Sequence, residues 1–212
     1  MAASAGYLAT VSVTGAPTTM TGEAMGGAAV TYQITAGDRQ IVDPNTAITV
    51  KIGGAAQAPS TYSFDYLTGT VVFGGVPGGA VTIDGKFLPA RQIAQAYEMD
   101  VSLSRTLADT SLLGSDFTQR TPALGDITGS FSCYDSGLHV YTDVDLAQIL
   151  VDGTTKVVEM DWNATNILRF FATFESIEAS MSVDGVQTAS ASFSLNGQTA
   201  LTTGQEVDFS FT

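Results

Sequence analysis

Residues 167–197 read ILRFFATFESIEASMSVDGVQTASASFSLNG and contain two long alternating runs on either side of Val183-Asp184-Gly185. Side chains that alternate between apolar and polar lie on opposite faces of a strand, so this segment predicts an antiparallel hairpin. A two-residue Asp-Gly turn would set Met181 opposite Thr188 and mix the two faces. A three-residue loop, with Gly185 in the left-handed conformation, instead sets apolar opposite apolar and polar opposite polar.

The two faces of this hairpin differ sharply in chemistry. The apolar face holds Ile177, Ala179, Met181, Ala189, Ala191, Phe193 and Leu195, and the polar face holds Glu178, Ser180, Ser182, Thr188, Ser190, Ser192 and Ser194. Small hydroxyls in such a row are typical of a face that is wetted or closely approached. On the first strand the apolar parity changes between Phe174 and Ile177, which predicts a β-bulge near Glu175-Ser176.

The composition favours sheets and protein contacts. Of the 212 residues, 44% are hydrophobic and only 14% are charged, well below the usual quarter. The net charge of -13 is uneven, because residues 1–90 hold five acids and three bases while residues 91–212 hold sixteen acids and five bases. Such a field repels phosphates and argues against a protein that grips nucleic acid. The low surface charge points to assembly.

The remaining pattern predicts short strands in two groups. Strands are expected at 7–13, 29–34, 93–104, 126–134, 156–161 and 206–211, with a turn-rich segment before 27 and a loop over 107–124. Between residues 37 and 89, closely spaced strands at 48–52, 61–66, 70–73 and 80–88 alternate with Gly and Pro turns. This predicts a sandwich domain of residues 1–36 and 90–212 with a small all-β module inserted at 37–89.

The strand over 93–104 repeats the division between an apolar and a small polar face. Its apolar face is predicted to hold Ile93, Tyr97, Met99, Val101 and Leu103, and its polar face Ala94, Ala96, Glu98, Asp100, Ser102 and Ser104.

One helix is predicted after residue 142. Thr142 would cap it, Asp145 would be the acidic member of a capping box, and Gly153 would end it. The fold class is therefore mainly β: an antiparallel sandwich or barrel with one flanking helix.

Enzyme motifs are weak throughout. A triad would need His139, yet no G-x-S-x-G elbow is present. Asp135-Ser136-Gly137 matches the short aspartic protease triplet, and Glu98 with Asp100 would need a third carboxylate to form a glycosidase or cation site. With Cys133 as the single cysteine, no intrachain disulfide is possible, and it is expected to be buried. We expect no enzyme, cofactor or metal.

The sequence lacks a secretory signal and a membrane span, which predicts a protein made in a cytoplasm.

Three segments together resemble the major tail (tail tube) proteins of long-tailed bacteriophages. They are TSLLGSDFTQRTPALGDITGSFSCYD at 110–135, SIEASMSVDGVQTASASFSLNG at 176–197, and the module at 41–89, which is similar to small β modules of phage structural proteins. The resemblance implies a β sandwich that forms hexameric rings stacked into a hollow tube. Adjacent subunits of that family join their sheets into one barrel that lines the channel. Expected partners are tape-measure, tail terminator and distal tail or baseplate proteins.

Within that resemblance, the polar faces acquire an expected role. Viral DNA passes through such a tube without specific binding, and small hydroxyls and carboxylates would repel its backbone. The candidate channel-facing residues are Glu98, Asp100, Ser102, Glu178, Ser180, Ser190 and Ser192. The candidate stacking loop between rings holds Leu112, Leu113, Asp116, Phe117 and Arg120. The protein would be assembled in the host cytoplasm and reside in the virion tail.

Two other readings remain open. A capsid decoration protein, or the tube of a gene transfer agent or contractile injection system, would share this inventory. The other alternative is a bacterial adhesin-type β binding module, for which the unit at 37–89 is the best evidence.

Overall fold

The computed structural model describes residues 9–109, 120–134, 145–163, 166–180, 188–196 and 207–210. Its strands are β1 (Ala9–Thr14), β2 (Thr18–Ala28), β3 (Thr31–Ile34), β4 (Thr49–Ile52), β5 (Ala55–Ala56), β6 (Tyr62–Asp65), β7 (Thr70–Phe73), β8 (Val81–Phe87), β9 (Ala90–Asp109), β10 (Arg120–Tyr134), β11 (Lys156–Asn163), β12 (Asn166–Ser180), β13 (Thr188–Leu195) and β14 (Val207–Ser210). The single α-helix of the described residues is α1 (Leu146–Asp152), and two short 3₁₀ helices lie at Gly37–Arg39 and Pro59–Thr61. The prediction of a mainly antiparallel β fold with one helix is confirmed.

The first sheet curls until it closes on itself. Its seven strands follow the order β11-β1-β9-β10-β13-β12-β14, and β11 also pairs with β12. The two halves of β12 have different neighbours: residues 167–170 lie between β11 and β14, whereas residues 172–180 pair with β13. One long strand therefore belongs to both layers of a sandwich, and the core lies between them.

The core is built from the inward-facing side chains of these strands and of α1. Phe193 lies at its centre, with ring centroids 5.5 Å from Phe170, 6.0 Å from Phe174 and 6.4 Å from Phe131. Gly129 on the neighbouring strand β10 leaves space for the Phe193 ring, because a Cβ at Gly129 would lie 2.6 Å from that ring. A glycine is thus required where an aromatic side chain crosses the neighbouring backbone.

The register of the β12–β13 hairpin is the predicted one. Ile177 pairs with Ala191 and Ala179 with Ala189, so apolar residues face one another. The register shifts between Phe174 and Ser176, which places the predicted bulge at Glu175. The loop itself and Met181 lie outside the described residues.

The β9–β10 hairpin is longer and less regular than predicted. Residues 107–109 and 120–124 belong to its strands, so the predicted loop over 107–124 is wrong at both ends. Two register shifts, near Ile93 and Tyr97, change which side of β9 faces the core. As a result Ala96, predicted on the polar face, is 3% exposed, while Tyr97, predicted on the apolar face, is 48% exposed.

Helix α1 covers one side of the core with Leu146 and Ile149, which are both buried. It begins one residue after Asp145, whose side chain accepts a hydrogen bond from the backbone of Gln148. Asp145 is therefore the N-cap itself and not the third residue of a capping box as predicted. Gly153 ends the helix in the left-handed conformation, as expected. No helix in the described part of the chain is long and apolar enough to span a membrane.

The second sheet has its own core and the order β5-β4-β8-β2-β3-β7-β6. Residues 18–28, predicted as turns, form its strand β2, because Met20 and Met25 supply buried side chains that the many Gly and Thr residues obscure. Hydrogen bonding thus groups residues 18–34 with the predicted module at 37–89. The division into domains at 36 and 90 stays a prediction.

The second sheet enters and leaves the first at one point. Thr14 at the end of β1 pairs with Ala90 at the start of β9, and Gly15 N–H donates to the Pro89 carbonyl at 2.9 Å. A small buried cluster joins the two sheets, with Ile41 and Leu67 packed against Val157 and Phe171. Val157 and Phe171 point away from the core of the first sheet, so the second sheet lies on the outside of the β11 and β12 layer.

We predict that replacing Phe193 by Ala lowers the free energy of unfolding by about 3–5 kcal/mol, because it empties the centre of the core. Ser130→Ala, on the exposed face of the same sheet, should change it by less than about 0.5 kcal/mol. Chemical denaturation of the two variants measures both values. Equal losses would show that Phe193 does not organise the core.

Candidate functional site

Four neighbouring strands present rows of short polar side chains on the face turned away from the core. We call this surface the polar face. Its rows follow the pairing of β9, β10, β13 and β12 in that order. The first row is Glu98, Ser132, Ser190 and Glu178, and the second is Asp100, Ser130, Ser192 and Ser176. The third row is Ser102, Thr128, Ser194 and Thr173. On β9 and β10 alone, Ser104 and Asp126 form a fourth pair.

The polar face exists because each strand alternates with a period of two. On the reverse side of β10, Phe131 and Cys133 are each 1% exposed, and Ala191 on β13 is 3% exposed. The bulge at Glu175 shifts the alternation of β12, so that Ser176 and Glu178 stay level with Ser192 and Ser190. The core therefore fixes which residues face outward.

Short side chains and negative charge dominate the chemistry of this surface. Its acids Glu98, Asp100, Asp126 and Glu178 are exposed, and none of the described positions in the rows is Lys or Arg. The Ser176 and Ser192 hydroxyls lie 2.7 Å apart and hydrogen-bond each other. A surface of this kind offers phosphates no cation and offers apolar ligands little area.

The structure brings together the candidate residues that the sequence placed on separate strands. Glu98, Asp100, Ser102, Glu178, Ser190 and Ser192 all lie on the polar face. The backbone of Ser180 continues the same register opposite Thr188, although its side chain lies outside the description. That these residues face a channel stays a prediction.

Sequence reasoning missed the central strand of the polar face. Asp126, Thr128, Ser130 and Ser132 of β10 supply its middle, flanked by β9 and β13. The signal was present, because residues 126–133 read DITGSFSC and alternate as regularly as the hairpin.

The candidate stacking loop cannot be placed in the same way. Leu112, Leu113, Asp116 and Phe117 lie outside the described residues. Arg120 is the first residue of β10, where its backbone pairs with Asp109.

Glu98 and Glu178, the acids at the two ends of the first row, are too far apart for the glycosidase arrangement. Glu98 and Glu178 stand at opposite ends of one row, three strand spacings or about 14 Å apart. That separation exceeds the distance between the paired acids of glycosidases. Among the described residues no group of three His, Cys, Asp or Glu could hold a metal ion. His139 and the triplet at 135–137 lie outside the description.

A second polar cluster lies on the other layer of the sandwich, where β1, β11 and β12 meet. Arg169 forms an ion pair with Glu159, and the Thr10 hydroxyl donates to Asp161 Oδ2 at 3.1 Å. Asp161 Oδ1 is buried and has no hydrogen-bond partner in the described structure. Burial, and then the nearby Glu159 charge, raise the pKa of Asp161 above its ordinary value.

Searches of protein-family models and of curated proteins give no match. Among solved structures, the chain is similar to one described as the virion of a native gene transfer agent particle, at 15% identity and a TM-score of 0.43, covering 57% of this chain and 88% of that one. It is also similar to a chain in the tail of an empty gene transfer agent particle with C6 symmetry, at 16% identity and a TM-score of 0.43, covering 57% and 87%. Similarity at this level is too low to assign a function.

We predict that Asp161→Asn raises the melting temperature at pH 7 and leaves it nearly unchanged at pH 4. A carboxyl whose pKa is raised by folding contributes stability below its unfolded pKa and loses it as the pH rises through its folded pKa. The amide carries no charge to bury and still accepts from Thr10. Thermal melts at both pH values, with exposed Asp38→Asn as the control, measure the difference. A larger loss at pH 7 than at pH 4 would show that the carboxylate stabilises the fold.

Proposed function

We propose that this chain is the subunit of a viral tail tube, in which hexameric rings stack around a channel lined by the polar face. The observation that carries this proposal is the alignment of hydroxyl and carboxylate rows across four strands of one sheet. The tail tube motifs at 110–135 and 176–197 support it, since both contribute strands to this face.

The edges of the sheet support ring formation. β1 pairs with β9 only as far as Ala96, and β11 reaches β12 only as far as Ala172. From Glu98 and from Thr173 onward, these outer edges meet no other strand of the described structure. Long open edges are a liability in an isolated subunit, and pairing with further copies satisfies both of them.

The directions of the strands allow the joint between two copies to be antiparallel, like the pairs within one sheet. The four strands alternate in direction, so β9 and β12 run antiparallel to each other. When β12 of one copy meets β9 of the next, the joint is antiparallel like every other pair in the sheet. Copies can then be added head to tail until the ring closes.

The placement of the second sheet fits this arrangement. It contacts the β11 and β12 layer through Val157 and Phe171, which point away from the core. The polar face also points away from the core but belongs to the opposite layer. In a tube lined by the polar face, the second sheet therefore lies outside and leaves the channel open.

The role is structural rather than catalytic in this proposal. The polar face repels the phosphates of viral DNA, which passes in transit without specific binding. The subunits would assemble in the host cytoplasm, meet tape-measure, terminator and baseplate proteins, and remain in the virion tail.

Negative-stain microscopy of the purified protein at high concentration tests assembly directly. Stacked rings with a central hole are the expected result. Monomers at every concentration would contradict the proposal and favour an adhesin-type binding module.

The charge of the polar face gives a sharper prediction. Tubes carrying Glu98→Lys and Glu178→Lys should retain short duplex DNA in low salt and release it in high salt, because cations replace the repelling carboxylates. Tubes carrying Asp38→Lys and Asp152→Lys have the same change in net charge on exposed residues elsewhere and serve as the control. Co-sedimentation of labelled DNA measures retention. Equal behaviour of the two variants would show that the polar face does not line a channel that DNA reaches.

We predict that Phe117→Ala with Arg120→Ala leaves a folded subunit that no longer stacks, because the candidate stacking residues lose an aromatic side chain and, at the start of β10, a cationic one. Melting temperature checks the fold and tube length in micrographs checks stacking. Tubes of normal length would rule out the stacking role.

A further inference from the structure

The two open edges can be matched residue by residue, which fixes how neighbouring copies would join. Outward-facing residues of β12 direct their backbone groups to β13, as the bond from Asn196 N–H to the Phe171 carbonyl shows at 2.9 Å. Core-facing residues such as Ile177 therefore direct theirs to the open edge. Opposite residues in a sheet share a face, so Glu178 must meet an outward-facing residue of β9: Glu98, Asp100, Ser102 or Ser104.

Two of these four registers bring like charges together. With Glu178 opposite Glu98 or opposite Asp100, two carboxylates of the same face become direct neighbours. Like charges directly opposite each other destabilise a strand pair.

A third register leaves apolar and charged residues mismatched. With Glu178 opposite Ser104, the apolar side chain of Ile177 meets the cationic side chain of Arg105.

The remaining register brings no like charges together on either side of the joint. With Glu178 opposite Ser102, Ile177 meets Leu103, which is 57% exposed in the subunit, and the bulge residue Glu175 lies near Arg105. Both Glu175 and Arg105 are exposed, and neither forms an ion pair within the described chain. Arg105 lies over Gly125, where the absence of a side chain leaves room for the guanidinium to turn.

The same register gives the stagger that a closed barrel needs. Within one copy, Glu178 and Glu98 lie in the same row of the sheet. If Glu178 pairs with Ser102 of the next copy, that row is displaced along β9 by 102 − 98, or four residues, for every four strands. One residue of shear per strand is the ratio found in barrels whose strands tilt by about 36°. The register without stagger would give upright strands, which closed barrels do not adopt.

The hand of this stagger is also correct. The direction of the Phe171 carbonyl places β13 to the right of an upward β12 when the polar face is viewed. If the polar face lines the inside of the barrel, displacing each joint toward the C-terminal end of β9 makes the strands coil around the barrel axis with a right-handed sense. This is the hand that twisted sheets of L-residues adopt.

We propose that β12 of one copy pairs with β9 of the next copy with Glu178 opposite Ser102 and Ile177 opposite Leu103, which brings the bulge residue Glu175 near Arg105. The partner is a second copy of this chain. The assignment rests on the proposed tube and adds the register and the ion pair that hold its joints.

Paired cysteines test the register in the full-length protein with Cys133→Ala. Glu178 and Ser102 would form a non-hydrogen-bonded pair with Cα atoms about 4.5 Å apart, within reach of a disulfide, while a shift of two residues gives about 7–8 Å. Ser102→Cys with Glu178→Cys should therefore give a ladder of reducible multimers on denaturing gels. Glu98→Cys, Asp100→Cys and Ser104→Cys, each with Glu178→Cys, are the matched controls and should stay monomeric.

Charge exchange tests the ion pair independently. Arg105→Glu and Glu175→Arg should each raise the protein concentration needed for assembly several-fold, and the double exchange should restore it. Lys86→Glu, on the second sheet, controls for net charge.

The outcomes separate the register from the tube. Tubes in micrographs combined with a ladder from a control pair, or from no pair, would overturn the register and leave the tube proposal standing. Absence of any ring in the unmodified protein would overturn both.

Discussion

The whole architecture depends on one constraint: four adjacent strands keep their bulk on one side only. The rows of the polar face are made mostly of Ser and Thr and hold no large apolar side chain, so the volume needed for a core must come from the reverse side. Phe131, Phe170, Phe174 and Phe193 supply it there. Gly129 is part of the same constraint, because a side chain at that position would collide with the Phe193 ring. An aromatic core and a hydroxyl surface are thus two sides of one pattern.

The β-bulge at Glu175 links this constraint to the sandwich. β12 runs from one layer into the other, and its outward face changes from Arg169 and Phe171 to Ser176 and Glu178 along the way. Without the extra residue, the serines of β12 would turn into the core. The bulge also leaves an acid at an open edge, which discourages indiscriminate edge pairing while remaining compatible with a basic partner.

Much of this could be predicted from the sequence where alternation is unbroken. The β12–β13 register, its bulge and the stop of α1 at Gly153 follow from local residues, and the structure confirms them. Prediction failed where tertiary packing overrides the pattern. The irregularities of β9 at Ile93 and Tyr97 change the face of Ala96, and they exist to match β1 and β10, which lie far away in the chain. β2 was missed because glycines and threonines hid two buried methionines.

The candidate site followed the same rule. Six outward residues on β9, β12 and β13 could be chosen from alternation alone, but their alignment into rows depends on β10 lying between them. That adjacency comes from the sheet order, which no single segment encodes.

The insertion of the second sheet at a hydrogen-bonded strand end has an evolutionary consequence. Because Thr14 and Ala90 are paired neighbours, the chain between them can be lengthened, shortened or exchanged while β1 and β9 keep their register. The residues that would set the width of a channel and those that would set the outer diameter of a tube therefore lie in separate stretches of sequence. Selection can therefore reshape the second sheet while the strands of the polar face stay constant.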